Sequence, residues 1–297
     1  MIETDLAVGY VSQFVPGYTL GEQLLDSRLT FSACRSTLML VLSTLVERVY
    51  AAAPRPFPVR AVGSDYLRRI NRRISAIDMA PRGTGELLKR LIRVDSIIVN
   101  GIRCAGLPMI LRALSPVTLG KHLRVGGTER AHGGLILDDI ILTRQGSVCL
   151  VDDPNGTAGS RLYDIGKLCL SLTCYEFFKY DIFDCQVELD REPPRITVEL
   201  PGHPAQATYA ELAEHLPEML ATCGVLADAD HQLTGIGLVL LNGLQNLGLP
   251  SFHLLRHGAE QRAAAFLAIG LLRVSESLAL MDAGHDVPLE YACRCVF

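Results

Sequence analysis

Between His231 and Leu255 the chain runs without a single Asp, Glu, Lys or Arg. A segment with no charges of its own has to be buried, and a bilayer or a protein core would take it. The stretch contains His231, Gln232, Asn242, Gln245, Asn246 and His253, together with glycines and Pro250. A hydrocarbon span of about 20 residues does not tolerate so many polar groups, so the expectation is a helix inside a large core. The composition agrees. The 297 residues, 49% hydrophobic against 20% charged, supply apolar material for one large core or two moderate ones and exclude disorder. A formal net charge of -4 leaves no surplus to neutralise a nucleic-acid backbone or hold an anionic bilayer, so neither is expected as a partner. The start, Met1 to Asp5, lacks the basic and apolar regions of a secretory signal, and the location expected is cytoplasmic. Nine scattered cysteines read as reduced core thiols. The one close pair, Cys293 and Cys295, has no second pair or histidine cluster beside it to make a metal site.

Local patterns give the elements. Ala7 to Phe14 reads as one strand leaving into Pro16-Gly17, and Thr19 with Glu22 three positions on is a capping box opening a helix. Leu38, Val41, Leu42, Leu45, Val46 and Val49 repeat at helical spacing and predict a helix over 32–53, stopped by Pro54, Pro56 and Pro58. A second helix over 64–77 carries Arg68, Arg69, Arg72 and Arg73, which suit a phosphate but more simply make a solvated face. Asn100-Gly101 between Ile97-Ile98-Val99 and Ile102 predicts a two-stranded ribbon. A second ribbon joins Ile140-Ile141-Leu142 to Val148-Cys149-Leu150-Val151. Helices are expected over 161–180, 208–224, 231–248 and 259–281, with Ile196 to Leu200 as an inserted edge hairpin. His253 and His257, four apart, read as structural because no Glu or Cys completes a ligand set.

The chemistry-bearing segment is His132-Gly133-Gly134-Leu135-Ile136-Leu137-Asp138-Asp139-Ile140-Ile141-Leu142. It is followed by Leu150-Val151-Asp152-Asp153-Pro154-Asn155-Gly156 and then Leu162-Tyr163-Asp164-Ile165-Gly166-Lys167. The succession resembles the catalytic core of the aminoglycoside phosphotransferase and choline kinase superfamily, which shares its fold with protein kinases. That family shows His-Gly-Asp-Leu-x-x-x-Asn-Ile-Leu, a strand ending in Ile-Asp-Pro or Ile-Asp-Trp, and Gly-Asp-Pro-x-Tyr-Asp-Leu-Ala opening a core helix. The resemblance implies Asp139 and Asp153 as ligands of magnesium bound to ATP, since phosphoryl transfer needs cations on the β and γ phosphates. It gives His132 and Asp164 as structural supports of the loop. The family's catalytic aspartate falls on Gly134, which can accept no proton. Asp138 is the nearest substitute, although out of register.

Val11 to Leu20 resembles the hinge that follows the family's N-terminal β lobe, and the first lysine of the chain is Lys89. The glycine loop and phosphate-clamping strand lysine are therefore expected to be absent. The fold expected is α+β and predominantly α-helical: a kinase-like C-terminal lobe with short β hairpins and no N-terminal β lobe. It is read as one domain over 1–297, with a hinge-like start at 7–20, the catalytic and metal loops at 130–168 and a helical C-terminal part at 205–282. Two losses in one chain favour a pseudoenzyme, a binding or regulatory module for a small-molecule ligand derived from a small-molecule kinase. The alternative is an active ATP-dependent phosphotransferase acting on a small hydroxyl or amine acceptor, either weakly by itself or with a protein partner supplying the nucleotide-clamping lobe.

Overall fold

The computed structural model describes residues 2–4, 7–9, 15–50, 59–123, 131–151, 161–226 and 234–294. The chain opens with a small antiparallel hairpin, β1 (Ile2–Thr4) and β2 (Ala7–Gly9), where the sequence predicts a single strand over 7–14; residues 10–14 lie outside the described residues. Strand β3 (Gly17–Thr19) leads into α1 (Leu20–Leu25). The capping box at this junction forms as the sequence predicts: the Glu22 N–H donates to Thr19 Oγ1 at 3.1 Å and the Thr19 N–H donates to Glu22 Oε2 at 3.0 Å.

Helix α2 (Phe31–Leu45) runs directly into a π-helical turn, Val46–Tyr50, that brings Tyr50 into the core. Helices α3 (Val59–Asp78) and α4 (Glu86–Leu91) follow, then the hairpin β4 (Ser96–Val99) and β5 (Ile102–Ala105), turned at Asn100-Gly101 with both residues at positive φ (49° and 80°). This is the Asn-Gly turn geometry that the sequence signals. After α5 (Leu107–Ala113) and α6 (Pro116–His122), a 3₁₀ turn, Leu137–Asp139, opens the hairpin β6 (Ile140–Thr143) and β7 (Val148–Leu150). Helix α7 (Arg161–Leu170) passes through a second π-helical turn, Ser171–Tyr175, into α8 (Glu176–Lys179).

Neither predicted ribbon stays two-stranded. Strand β3 pairs antiparallel with β6, giving the order β3-β6-β7. The hairpin β8 (Asp184–Glu188) and β9 (Arg195–Glu199) docks on β4 through β9, in parallel, giving β5-β4-β9-β8. The inserted hairpin is thus half of a four-stranded sheet, because Ile196 and Val198 supply a buried face beside Ile97 and Val99 that β4 and β5 alone leave uncovered.

The C-terminal part consists of α9 (Gln206–Thr222), α10 (Gly235–Leu247), α11 (Pro250–His257), α12 (Glu260–Ala283) and α13 (Leu289–Ala292). Every residue of α10 is buried, the expected fate of the charge-free stretch. Gly243 and Gly270 let α10 and α12 close tightly, since a Cβ on Gly243 would stand 2.7 Å from Val274 Cγ2 and one on Gly270 2.7 Å from Leu247 Cδ2. Helix α12 is long and apolar enough to cross a membrane, yet 67% of its most apolar window is buried inside the fold. It is a core helix here.

His253, on α11, is 1% exposed and stacks on Phe266 with ring centroids 4.7 Å apart. Among the described residues, neither ring nitrogen has a hydrogen-bond partner. Burial, helped by Arg262, His257 and Lys179 and opposed by Asp181, pushes its pKa down to about 3. The ring is therefore neutral when folded and protonates more readily when unfolded. Its contribution is complete above about pH 6.5 and is lost as pH falls from there towards 3. The expected loss by pH 4.5 is about 2–3 kcal/mol relative to pH 7, absent in His253→Phe. Urea denaturation of both proteins at the two pH values checks it, and equal pH dependence would count against it.

Candidate functional site

The loop from Ala131 to Asp139 is held from below by one side chain. Asp164, in the first turn of α7 and fully buried, accepts the His132 N–H at 2.8 Å, the Gly133 N–H at 2.7 Å and the Tyr50 hydroxyl at 2.9 Å. Burial raises the Asp164 pKa, and the three donors oppose that shift without reversing it. Gly133 sits at φ +87°, a conformation that favours glycine. The loop's far end is fixed by the Leu137 N–H, which donates to Ser171 Oγ at 2.9 Å, while Ser171 donates in turn to Glu176. The His132 ring is buried but, among the described residues, neither of its nitrogens has a partner.

Gly134 itself shows no positive φ, and a Cβ built there would meet only Asp139 Oδ2, at 3.5 Å. Glycine is therefore not demanded by the backbone, and the position has room for a side chain. The two aspartates of the 3₁₀ turn part company. Asp139, half-buried, puts its carboxylate beside Gly134. Asp138, 8% exposed, turns to the other side: it accepts from Thr19 Oγ1 at 3.1 Å and Tyr180 Oη at 3.3 Å, and it pairs with the Lys179 ammonium. A Cβ on Gly21 would collide with that carboxylate, so α1 closes over it. Burial lowers the Lys179 pKa, but Asp138 more than offsets this and the net shift is upward, while burial and Asp138 both raise that of Glu176. Asp138 thus ties α1, the loop and α8 together. Asp152 and Asp153 lie outside the described residues.

One group near the loop was not singled out from the sequence. Lys167, one turn beyond Asp164 on α7, places its ammonium 5.7 Å from the centre of the Tyr163 ring, and the Arg69 guanidinium lies 5.1 Å from the same ring. Arg73, one turn along α3, donates to the Gly248 carbonyl. Burial and Arg73 depress the Lys167 ammonium to about 8, against the pull of Asp139, with Arg69 adding to the depression. The arginine run divides accordingly: Arg68, Arg69 and Arg72 are exposed, as a solvated face predicts, Arg69 pairing with Asp65 beside Tyr163, whereas the half-buried Arg73 reaches Gly248. The signal available in the sequence was the spacing of Lys167 three positions after Asp164, which sets both on one side of α7.

Among the described residues no group of three His, Cys, Asp or Glu side chains could hold a metal ion, and Asp139 is the one carboxylate at Gly134. The described residues by themselves do not make a magnesium site. Elsewhere, Cys293 Sγ lies 3.9 Å from Cys169 Sγ in the core, and Cys295 falls outside the described residues.

No family model matches the sequence, and no curated protein matches it either. Among solved structures, a glucosamine kinase superposes with a TM-score of 0.46 at 18% identity, covering 89% of this chain and 54% of that one. The choline kinase from Cryptosporidium parvum Iowa II superposes with a TM-score of 0.42 at 12% identity, covering 91% of this chain and 71% of that one. The chain spans about half the length of the glucosamine kinase structure.

Proposed function

We propose that the chain is a degenerate phosphotransferase-like protein, a kinase-like C-lobe scaffold retained as a binding or regulatory module. The observation that carries this reading is the loop itself. Its backbone is braced by Asp164, its middle holds a carboxylate at Asp139, and Gly134, which has room for a side chain, contributes no proton acceptor of its own. Asp138 does not replace it, being tied to Lys179, Thr19 and Tyr180.

A second reading, an active phosphotransferase on a small hydroxyl or amine acceptor completed by a partner chain, is favoured by Lys167. Charge stabilisation of transferring phosphoryl oxygens needs fixed cations, and Lys167, on Tyr163, is within electrostatic reach of Asp139, while Arg69 over the same ring pairs with Asp65. Both readings make Lys167 the anion-facing group. Calorimetric titration with ATP, with and without magnesium, is expected to show binding that weakens about tenfold in Lys167→Met, as for loss of one charge-assisted contact. Unchanged affinity in that variant, or no binding of ATP at all, contradicts the phosphate-binding assignment.

A further inference from the structure

Two thiols from distant parts of the chain meet in the core. Cys169, on α7, and Cys293, at the end of α13, are both free and fully buried, and their sulfur atoms lie 3.9 Å apart. A disulfide holds its sulfurs at about 2.05 Å, so the pair is short of bonding distance by a change of side-chain torsion on a residue that caps a short helix.

The surroundings of the two thiols differ. The Asn242 amide donates to Cys169 Sγ at 3.3 Å. The hydrogen bond with Cys293, the Asn242 amide and the Arg273 charge together lower the Cys169 pKa against the effect of burial. The same hydrogen bond and burial raise that of Cys293. Asn242 and Arg273 belong to α10 and α12, so their support of a Cys169 thiolate does not depend on where Cys293 is.

Cys293 also has a way out of the core. Of the four residues of α13 only Ala292 is buried, and the segment 282–290 leading into it is largely exposed. Two side chains of α12 tie it down: the Tyr291 hydroxyl donates to Glu276, and Arg273 donates to the Arg294 carbonyl. A short helix with so little buried surface opens at lower free energy than the helices beneath it.

We propose that Cys169 and Cys293 form a reversible disulfide by exchange with a low-molecular-weight disulfide such as glutathione disulfide. With α13 open, the Cys293 thiolate attacks one sulfur of glutathione disulfide, breaks its S–S bond and releases one glutathione thiolate. On reclosure the Cys169 thiolate attacks the Cys293 sulfur of the mixed disulfide, and the second glutathione leaves as thiolate. Two protein thiols are oxidised, one glutathione disulfide is reduced to two glutathiones, and the two protons lost by the cysteines go to the leaving thiolates. The bond joins positions 124 apart in sequence and ties α13 to α7, the helix whose Asp164 braces the loop. It does not depend on whether the loop supports chemistry.

The test is incubation of the folded full chain in mixtures of glutathione and glutathione disulfide, followed by alkylation, digestion and peptide mapping by mass spectrometry. The expected product is a Cys169–Cys293 linked peptide, reversed by excess glutathione, with a melting temperature raised by about 5 °C. Cys169→Ser should stop the reaction at a glutathione adduct on Cys293, and Cys295→Ser should leave the link in place. Tyr291→Phe removes one tie on α13 and should speed linkage about fivefold. No linked peptide from the folded chain, a Cys293–Cys295 link in its place, or a link that forms only in urea overturns the inference. A linkage rate unchanged in folded Tyr291→Phe overturns the route through opening of α13.

Discussion

Replacing Asp164 with alanine is expected to remove about 3–5 kcal/mol of stability, because three donors that it satisfies would be stranded in a buried environment at about 1–3 kcal/mol each, partly relieved by relaxation. Two of these are the backbone N–H groups of His132 and Gly133 and the third is the Tyr50 hydroxyl. The effect divides by variant. Tyr50→Phe removes one donor with its hydroxyl and should cost about 1 kcal/mol, leaving the loop in place. Asp164→Asn keeps one carbonyl acceptor, swaps the other for an amide that cannot accept, and should fall between. Urea denaturation gives the three values, and hydrogen exchange at the His132 and Gly133 amides should accelerate in Asp164→Ala well beyond the global change. A loss below about 1 kcal/mol, with those amides still protected, would show that the loop is held by something else.

Features with a local cause were legible in the sequence. Thr19 and Glu22 cap α1 through contacts three residues apart, and Asn100-Gly101 turns β4 into β5 through backbone preference alone. Gly146, at φ +78°, turns β6 into β7 in the same way. The burial of α10 followed from the absence of charge. Long-range pairing had no such signal. Strand β9 meets β4 in parallel across roughly a hundred residues, and β3 meets β6 across more than that. Hydrophobic periodicity predicts one continuous helix over 32–53 and does not register the π-helical turn at Val46–Tyr50 that places Tyr50 against Asp164; residues 51–53 lie outside the described residues. The proline at 250 marked a break but not the helix α11 that it opens.

The candidate site divides in the same manner. The support of His132 and Gly133 by Asp164 is a backbone contact between two segments whose order the sequence displays. The separation of Asp138 from Asp139 is not visible in a string, since adjacent residues of a 3₁₀ turn point about a third of a turn apart. One faces Lys179 and the other Gly134, and only the packing of α1 and α8 decides which. The approach of Lys167 and Arg69 to Tyr163 depends on how α3 lies against α7, which periodicity in either helix leaves open.

On the degenerate reading, Gly134 decides the chemistry. A kinase-like site without its proton acceptor loses about 10²- to 10⁴-fold in rate, and the positioning of the phosphates is a further requirement that a base alone does not meet. Gly134→Asp has room for its Cβ, with Asp139 Oδ2 as the nearest atom at 3.5 Å, so the variant should fold. It would set two carboxylates side by side, and their repulsion hinders both from staying ionised. The substitution alone is therefore expected not to restore rapid turnover. The most direct measurement is transfer of the γ-phosphoryl group of ATP to a panel of small hydroxyl and amine acceptors by the purified chain in magnesium buffer. The degenerate reading predicts no acceptor-dependent product above the protein-free control, for the parent and for Gly134→Asp alike. Robust acceptor-dependent turnover by the parent chain alone, abolished by replacing Lys167 or Asp138, would contradict it.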